Sequence, residues 1–261
     1  MSTFRRNSRR NVDIDERAVV VALFGPTGVG KTAVALELAD RLRASGEDPV
    51  AISCDALQVY EGLATLTGTA SEKEQRRLEH RLVEIVPVTE PFSLGDYMPQ
   101  AHAEIDSALD NGRRPIVLGG TGLYLRAALA DLSLEKVPPN TETSELWSPQ
   151  TRHPTAIFGL TMEREQLYRR IEARVDAIVA AGAEDEVRRA EALGPSRTAR
   201  KALGFAELLE GDVDRMKQRS RNYARRQLTW MRKMPNVRAI DVTGREPPEV
   251  AAEVAAALRD G

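Results

Sequence analysis

The sequence predicts an α/β fold: a doubly wound parallel sheet with flanking helices and a small C-terminal helical portion. Two observations carry this. Short apolar, β-branched runs at residues 18–24, 49–54 and 115–118 alternate with stretches whose apolar residues recur at helical spacing. Such alternation sets parallel strands side by side with helices packed on both faces. The pattern then breaks at residues 133–154, a stretch rich in Pro, Ser and Thr without a clear period, beyond which helical patterns dominate. The chain accordingly divides into a basic flexible tail (1–17), a core (18–132), a linker or reduced lid (133–156) and a part that completes the core with basic helices (157–261).

The first strand runs into Leu23-Phe24-Gly25-Pro26-Thr27-Gly28-Val29-Gly30-Lys31-Thr32, a gapless GxxxxGK[ST] phosphate-binding loop, so the fold is of the P-loop type. Gly25, Gly28 and Gly30 let consecutive backbone N–H groups, those of Thr27 and Val29 included, turn toward one anion. Lys31 brings a point charge to the outer phosphate, and the Thr32 hydroxyl is placed to ligate Mg²⁺ at the helix N-terminus. Ala33, Val34, Leu36, Leu38, Ala39 and Leu42 continue at helical spacing. Which polyphosphate the loop holds is left open.

The second strand delivers Asp55-Ala56-Leu57-Gln58 at its C-terminal end, where open parallel sheets place ligand-contacting residues. A polar helix is expected at 71–78 and a short third strand at 82–86, ended by Pro87. Ser93 can cap a helix over 94–110 that sets Tyr97, Ala101, Ile105, Ala108 and Leu109 on one face and stops at Asn111-Gly112. The strand at 115–118 opens into a second glycine turn, Gly119-Gly120-Thr121-Gly122, and a helix over 123–132. After the linker, a strand is expected at 157–160, helices at 164–181, 183–193, 198–210 and 214–234, a strand at 237–242 and a helix after Pro247-Pro248.

Composition excludes several classes. With 37 Lys and Arg against 39 Asp and Glu, net charge −2, a nucleic-acid site has to be a local basic patch. Cys54 is the only cysteine, which rules out an internal disulfide or a multi-cysteine zinc site and fits a reducing cytoplasm. No apolar run of spanning length and no signal-like apolar core is present, so a cytoplasmic protein without a membrane partner, and a monomer, is expected. Arg5, Arg6, Arg9 and Arg10 read as part of a solvated tail.

A local patch does exist. Residues 215–233 carry eight basic side chains and no acidic one. At about 100° per residue, Arg215, Arg219, Arg226 and Lys233 form one stripe and Lys217, Arg221, Arg225 and Arg232 another. Between them Met216, Tyr223, Ala224, Trp230, Met231 and Met234 read as core packing. Two flanking cationic rows suit a phosphate backbone, which makes this the expected RNA-contacting portion.

No Asp closes the strand before Gly119, so the magnesium-holding carboxylate of motor ATPases and GTPases is not evident and nucleotide hydrolysis loses weight. Asp55 is placed beside the phosphate loop, where a carboxylate can accept a proton from an incoming nucleophile; the alternative is an ordinary loop-capping Asp. Taken in order, GPTGVGKT, CDALQVYEGL with Gly68-Thr69-Ala70, GGTGLYLRAAL, KALGFAELLEG and YARRQLTWMRKMP together resemble the tRNA dimethylallyltransferases over roughly residues 19–241. The resemblance implies a P-loop domain that binds dimethylallyl diphosphate through Mg²⁺ and moves its five-carbon group to N6 of the adenine next to the anticodon. It makes Asp55 the general base, Gln58 a reader of the target adenine within a tRNA-binding segment of Asp55, Ala56, Leu57 and Gln58, and Thr121 the threonine that helps place that adenine. Lys201 takes the position of a basic residue near the diphosphate, and Arg226, Gln227, Thr229 and Trp230 match an RNA-contacting segment. Arg219 joins them through the basic stripe.

The chain departs from the family pattern in three places. A long helical insertion that grips the anticodon arm is reduced to residues 133–156, a paired-histidine motif has become His80-Arg81, and the lysine after Gly68-Thr69-Ala70 is Ser71. A prenyltransferase for a free adenine nucleotide, a P-loop small-molecule kinase and a non-catalytic RNA-binding module are the alternatives.

Overall fold

The structure is a computed structural model that describes residues 20–133 and 145–259. The expected basic tail, 1–17, lies outside the described residues, as does most of the first half of the linker. Six parallel strands form one sheet in the order β3-β2-β4-β1-β5-β6. They are β1 (Val20–Phe24), β2 (Pro49–Ser53), β3 (His80–Arg81), β4 (Arg114–Gly119), β5 (Thr155–Thr161) and β6 (Val237–Asp241).

β1 lies at the centre, pairing with β4 (Val21 opposite Ile116, Leu23 opposite Leu118) and with β5 (Leu23 opposite Phe158). Being covered on both faces, it is apolar at every position rather than alternating. Val20, Ala22 and Phe24 enter one core cluster and Val21 and Leu23 the other. The second cluster is closed by α1 (Lys31–Ala44) and α10 (Pro247–Arg259). The first is closed by α4 (Leu94–Asp110), α5 (Gly122–Leu129), α7 (Ala183–Ala192), α8 (Phe205–Glu210) and α9 (Val213–Lys233). The short helices α2 (Ala64–Thr67) and α3 (Glu72–Arg77) follow β2, and α6 (Arg164–Ala180) follows β5. No helix among the described residues is long and apolar enough to cross a membrane.

Local signals set several boundaries. Ser93 caps α4 through a reciprocal box with Asp96, and Ser71 caps α3 in the same way with Glu74. Two expectations need correction. The third strand is only His80–Arg81; the segment expected at 82–86 turns away, with Leu82 and Glu84 at φ 59° and 49°. Its backbone donors serve the loop after β2 instead: Glu84 N reaches Gln58 O at 2.8 Å and Ile85 N reaches Val59 O at 2.8 Å. The helix expected over 198–210 is broken into a 3₁₀ turn (Ala199–Lys201) and α8, because Gly204 takes φ 100°. A Cβ there would collide with Met216 and Leu66. Of the linker, a 3₁₀ turn (Glu145–Trp147) and the return into β5 are described.

Candidate active site

The carboxyl ends of β1, β2 and β4 open into one cavity of about 490 Å³, walled on the far side by α6 and α9. The phosphate loop forms its floor. Gly28 and Gly30 sit at φ 81° and 102°, left-handed values that L side chains resist, and Gly30 is the N-cap of α1. Ile171 of α6 packs so tightly beneath the loop that a Cβ on Gly28 would lie 2.9 Å from its Cγ1. Gly28, Gly30, Lys31 and Thr32 all line the cavity, while Val29 is buried below it. Two of the expected anion-facing amides are engaged within the protein: Thr27 N donates to Gln227 Oε1 at 2.9 Å and Val29 N to Pro26 O at 3.3 Å.

Lys31 Nζ donates to Gly25 O and Pro26 O at 3.0 and 3.1 Å. Burial, aided by the Arg174 guanidinium, draws its pKa down to about 8. Asp55 faces the same space and works against that shift. Its Oδ1 accepts from Leu57 N at 3.0 Å, which fixes the carboxylate at the strand end. Gln58 also lines the cavity, with its amide held at both ends: Oε1 accepts from Ser53 Oγ at 3.0 Å and Nε2 donates to Gly68 O at 3.2 Å. Leu57 joins the lining, whereas Ala56 packs against the core.

Thr121 is not among the residues that line the cavity; its hydroxyl does not cap α5 and is joined to the site through the Tyr223 hydroxyl, 3.2 Å away. Burial and the nearby Asp55 carboxylate push the Tyr223 pKa upward, so this pair stays neutral. Tyr223 in turn lines the cavity.

Arg170 and Arg174 of α6 line the cavity too, and neither was among the expected site residues. Arg174 Nη2 donates to Thr67 O at 3.1 Å and lies across Gly68, where a Cβ would clash with it. Gly68 itself closes α2 in the left-handed region at φ 62°, a conformation that favours glycine. Burial lowers the Arg174 pKa and the Asp55 charge partly restores it. The sequence held a signal for both arginines: they stand one position before Ile171 and Val175 on the buried face of α6. The α2 end of this wall is fixed by Glu186 of α7, which accepts from Thr65 N at 2.9 Å and Leu66 N at 2.7 Å.

Three site expectations change. Lys201 is exposed and does not line the cavity; the cationic residues that join Lys31 there are Arg170 and Arg174. Gln227 is 4 % exposed, so it does not offer its amide to an RNA surface but bridges the two glycine loops, donating to Gly120 O at 2.9 Å. Arg219 is bound to the buried carboxylate of Glu207 rather than free for a phosphate. Arg215, Lys217 and Arg221 of the double stripe are likewise paired, with Glu210, Asp176 and Glu172. Trp230 packs its ring against Gly122, and Arg226 lies 5.5 Å over the Tyr223 ring.

The chain matches the family model for IPP transferase over residues 58–153 and 135–234 and that for isopentenyl transferase over residues 18–91. A protein of Thermomicrobium roseum named tRNA dimethylallyltransferase is 34% identical over 295 aligned positions, covering 88% of each chain. The chain belongs to the tRNA dimethylallyltransferase family. Another family member, from Anoxybacillus flavithermus, is 32% identical over 286 positions, covering 86% of this chain and 90% of the other. The structure of the tRNA isopentenylpyrophosphate transferase of Bacillus halodurans superposes with a TM-score of 0.80 at 28% identity, covering 93% of this chain and 97% of that one. The alignment to the Thermomicrobium protein runs over 295 positions, more than the 261 residues of this chain, so it spans residues that this chain lacks. The IPP transferase match falls into two pieces that overlap at 135–153, within the linker.

Proposed function

We propose that this protein transfers the dimethylallyl group of dimethylallyl diphosphate to N6 of the adenine next to the anticodon in tRNA. The observation that carries the reading is one cavity that joins a phosphate loop, three cations, an apolar wall and a carboxylate. Lys31, Arg170 and Arg174 offset the charge of a diphosphate. Leu66, Val175, Ile178 and Leu203 give a dry surface that suits a five-carbon hydrocarbon.

In the reaction the allylic C–O bond breaks and its electrons leave with the diphosphate, where Lys31 and the loop amides stabilise the growing charge. The adenine N6 forms the new C–N bond and gives its proton to Asp55. Gln58 and the Thr121–Tyr223 pair hold the base edge in place. Reaching N6 requires the adenine to leave its stack, which is easier in a loop than in a duplex.

The described residues contain no group of three or more His, Cys, Asp or Glu able to hold a metal by themselves. Mg²⁺ is commonly bound through one or two protein groups plus substrate phosphates, and the Thr32 side chain at the cavity offers one such group. Thr32 would hold it, and the ion would neutralise charge on the leaving group.

Incubation with dimethylallyl diphosphate, Mg²⁺ and an anticodon stem-loop, followed by mass spectrometry of the RNA, tests the reading. A gain of one isopentenyl unit on the adenosine next to the anticodon is expected. Modification of free adenine nucleotide with none of the stem-loop would overturn it.

A further inference from the structure

Trp147 and Trp230 are the two tryptophans of the sequence, and the fold brings them together with ring centroids 4.9 Å apart and planes inclined by 43°. They arrive from different places. Trp230 comes from α9 and rests on Gly122, where a Cβ would stand 2.7 Å from its ring; Gly122 directly follows Thr121. Trp147 comes from the 3₁₀ turn in the linker.

Both rings are half-buried rather than enclosed. Lys233 places its ammonium 5.7 Å over the Trp147 ring, and Arg226 lies over Tyr223. Along α9 the residues Tyr223, Arg226, Trp230 and Lys233 follow one another at intervals of three, four and three, so they share one helical face. That face runs outward from the Thr121 hydroxyl, alternating aromatic ring and cation. The basic residues nearer the start of α9 are tied to carboxylates, whereas Arg226 and Lys233 lie over rings. Aromatic faces interleaved with cations are what a single-stranded nucleic acid uses: bases stack on the rings and phosphates pair with the charges.

We propose that Trp147 and Trp230 form a stacking platform for the nucleobase that flanks the target adenine, with Arg226 and Lys233 on the adjoining phosphates. The proposal rests on RNA being the acceptor. Extruding one adenine removes a stacking partner from its neighbour, and the platform beside Thr121 replaces that partner. Trp147 thereby supplies, from the linker, a hold on the RNA loop close to the reacting base.

The test uses the full chain and a synthetic anticodon stem-loop. Because the two tryptophans are both in the platform, intrinsic fluorescence reports on it directly, and quenching on RNA titration is expected. Replacing the flanking nucleotide by an abasic one should raise the RNA KM of the unaltered protein about five- to a hundredfold. Trp147→Leu should raise it by a similar factor, with donor KM and turnover at saturating RNA retained, and the abasic RNA should lose little more in that variant. Trp147→Phe should restore most of the loss. If the stem-loop is prenylated but emission is unchanged and the abasic RNA reacts with its normal KM, the pair is internal packing and the proposal falls while the function stands. If RNA quenches the emission and binding depends on the flanking base, yet no prenyl group is transferred, the platform stands and the proposed activity falls. RNA that does not bind at all overturns both.

Discussion

Gln227 holds Thr27: its Oε1 accepts the Thr27 amide at 2.9 Å while its Nε2 donates to Gly120 O at 2.9 Å. One side chain from α9 therefore sets the spacing between the phosphate loop and the glycine turn that carries Thr121. Gln227→Leu leaves two backbone groups without their partner, which should destabilise the protein by about 1–3 kcal/mol. It should also weaken dimethylallyl diphosphate binding, since the loop loses its brace. Thermal unfolding together with donor titration checks this; unchanged donor affinity would show that the loop keeps its shape without the bridge.

Asp55 serves the nucleophile rather than the donor. Asp55→Asn keeps the hydrogen bond from Leu57 N but cannot take the N6 proton. Turnover should fall roughly 10²- to 10⁴-fold with donor affinity nearly intact. Equal loss of donor affinity would instead assign the carboxylate to organising the metal and diphosphate.

Arg174 should behave in the opposite way. Arg174→Gln removes a half-buried guanidinium from the cavity wall, and the loss of a charge-assisted contact should raise the donor Kd roughly ten- to a hundredfold. The RNA Kd should change little. A donor Kd equal to that of the unaltered protein would confine Arg174 to its bond with Thr67 O.

The pH dependence of donor binding follows from Lys31. Its pKa in the donor-free protein is drawn down to about 8, and a bound diphosphate must raise it, because the anion favours the ammonium. Binding is therefore strongest below pH 8 and weakens as pH rises through that value, by at most about tenfold per unit. Calorimetry in buffers of different ionisation enthalpy should register proton uptake above pH 8. Lys31→Met should bind weakly and without this dependence; an identical pH profile in that variant would trace the effect to another group.

The parts of this molecule that were legible in the sequence are those fixed by neighbours along the chain. The β1, glycine-loop, α1 unit and the Ser93 cap of α4 depend on residues a few positions apart, and both lie where the pattern placed them. The segment after His80 was not legible, because its amides are taken by Gln58 and Val59 across space rather than by β2. Gly204 breaks a good helical pattern at φ 100°, where Met216 and Leu66, distant in sequence, fill the space a side chain would need. Arg174 stands beside Val175 on the buried face of α6, which the helical period shows, but its partner Thr67 lies 107 residues earlier, and that meeting is set by the fold rather than by neighbours along the chain. Similarly, the charges on α9 were plain, while the carboxylates that hold half of them were not.

That last point separates two arginines of one predicted stripe. Arg219 is bound to Glu207, whose side chain is 0% exposed and also accepts from Gly204 N at 3.1 Å. Arg219→Gln would leave that carboxylate in the core, with Arg215 standing 3.9 Å away. Breaking a fully buried pair costs about 3–5 kcal/mol, but the Arg219 side chain is 44% exposed, so a loss of about 1–3 kcal/mol is expected. Arg226, by contrast, is exposed over the Tyr223 ring, and Arg226→Gln should leave stability unchanged. On RNA the roles reverse. Arg226→Gln should lower the slope of log affinity against log salt by about 0.7–0.9, the signature of one lost phosphate contact, while Arg219→Gln should keep the slope of the unaltered protein. A stable Arg219→Gln protein with a reduced salt slope would return Arg219 to the RNA surface and leave Glu207 held by Gly204 and Arg215 alone.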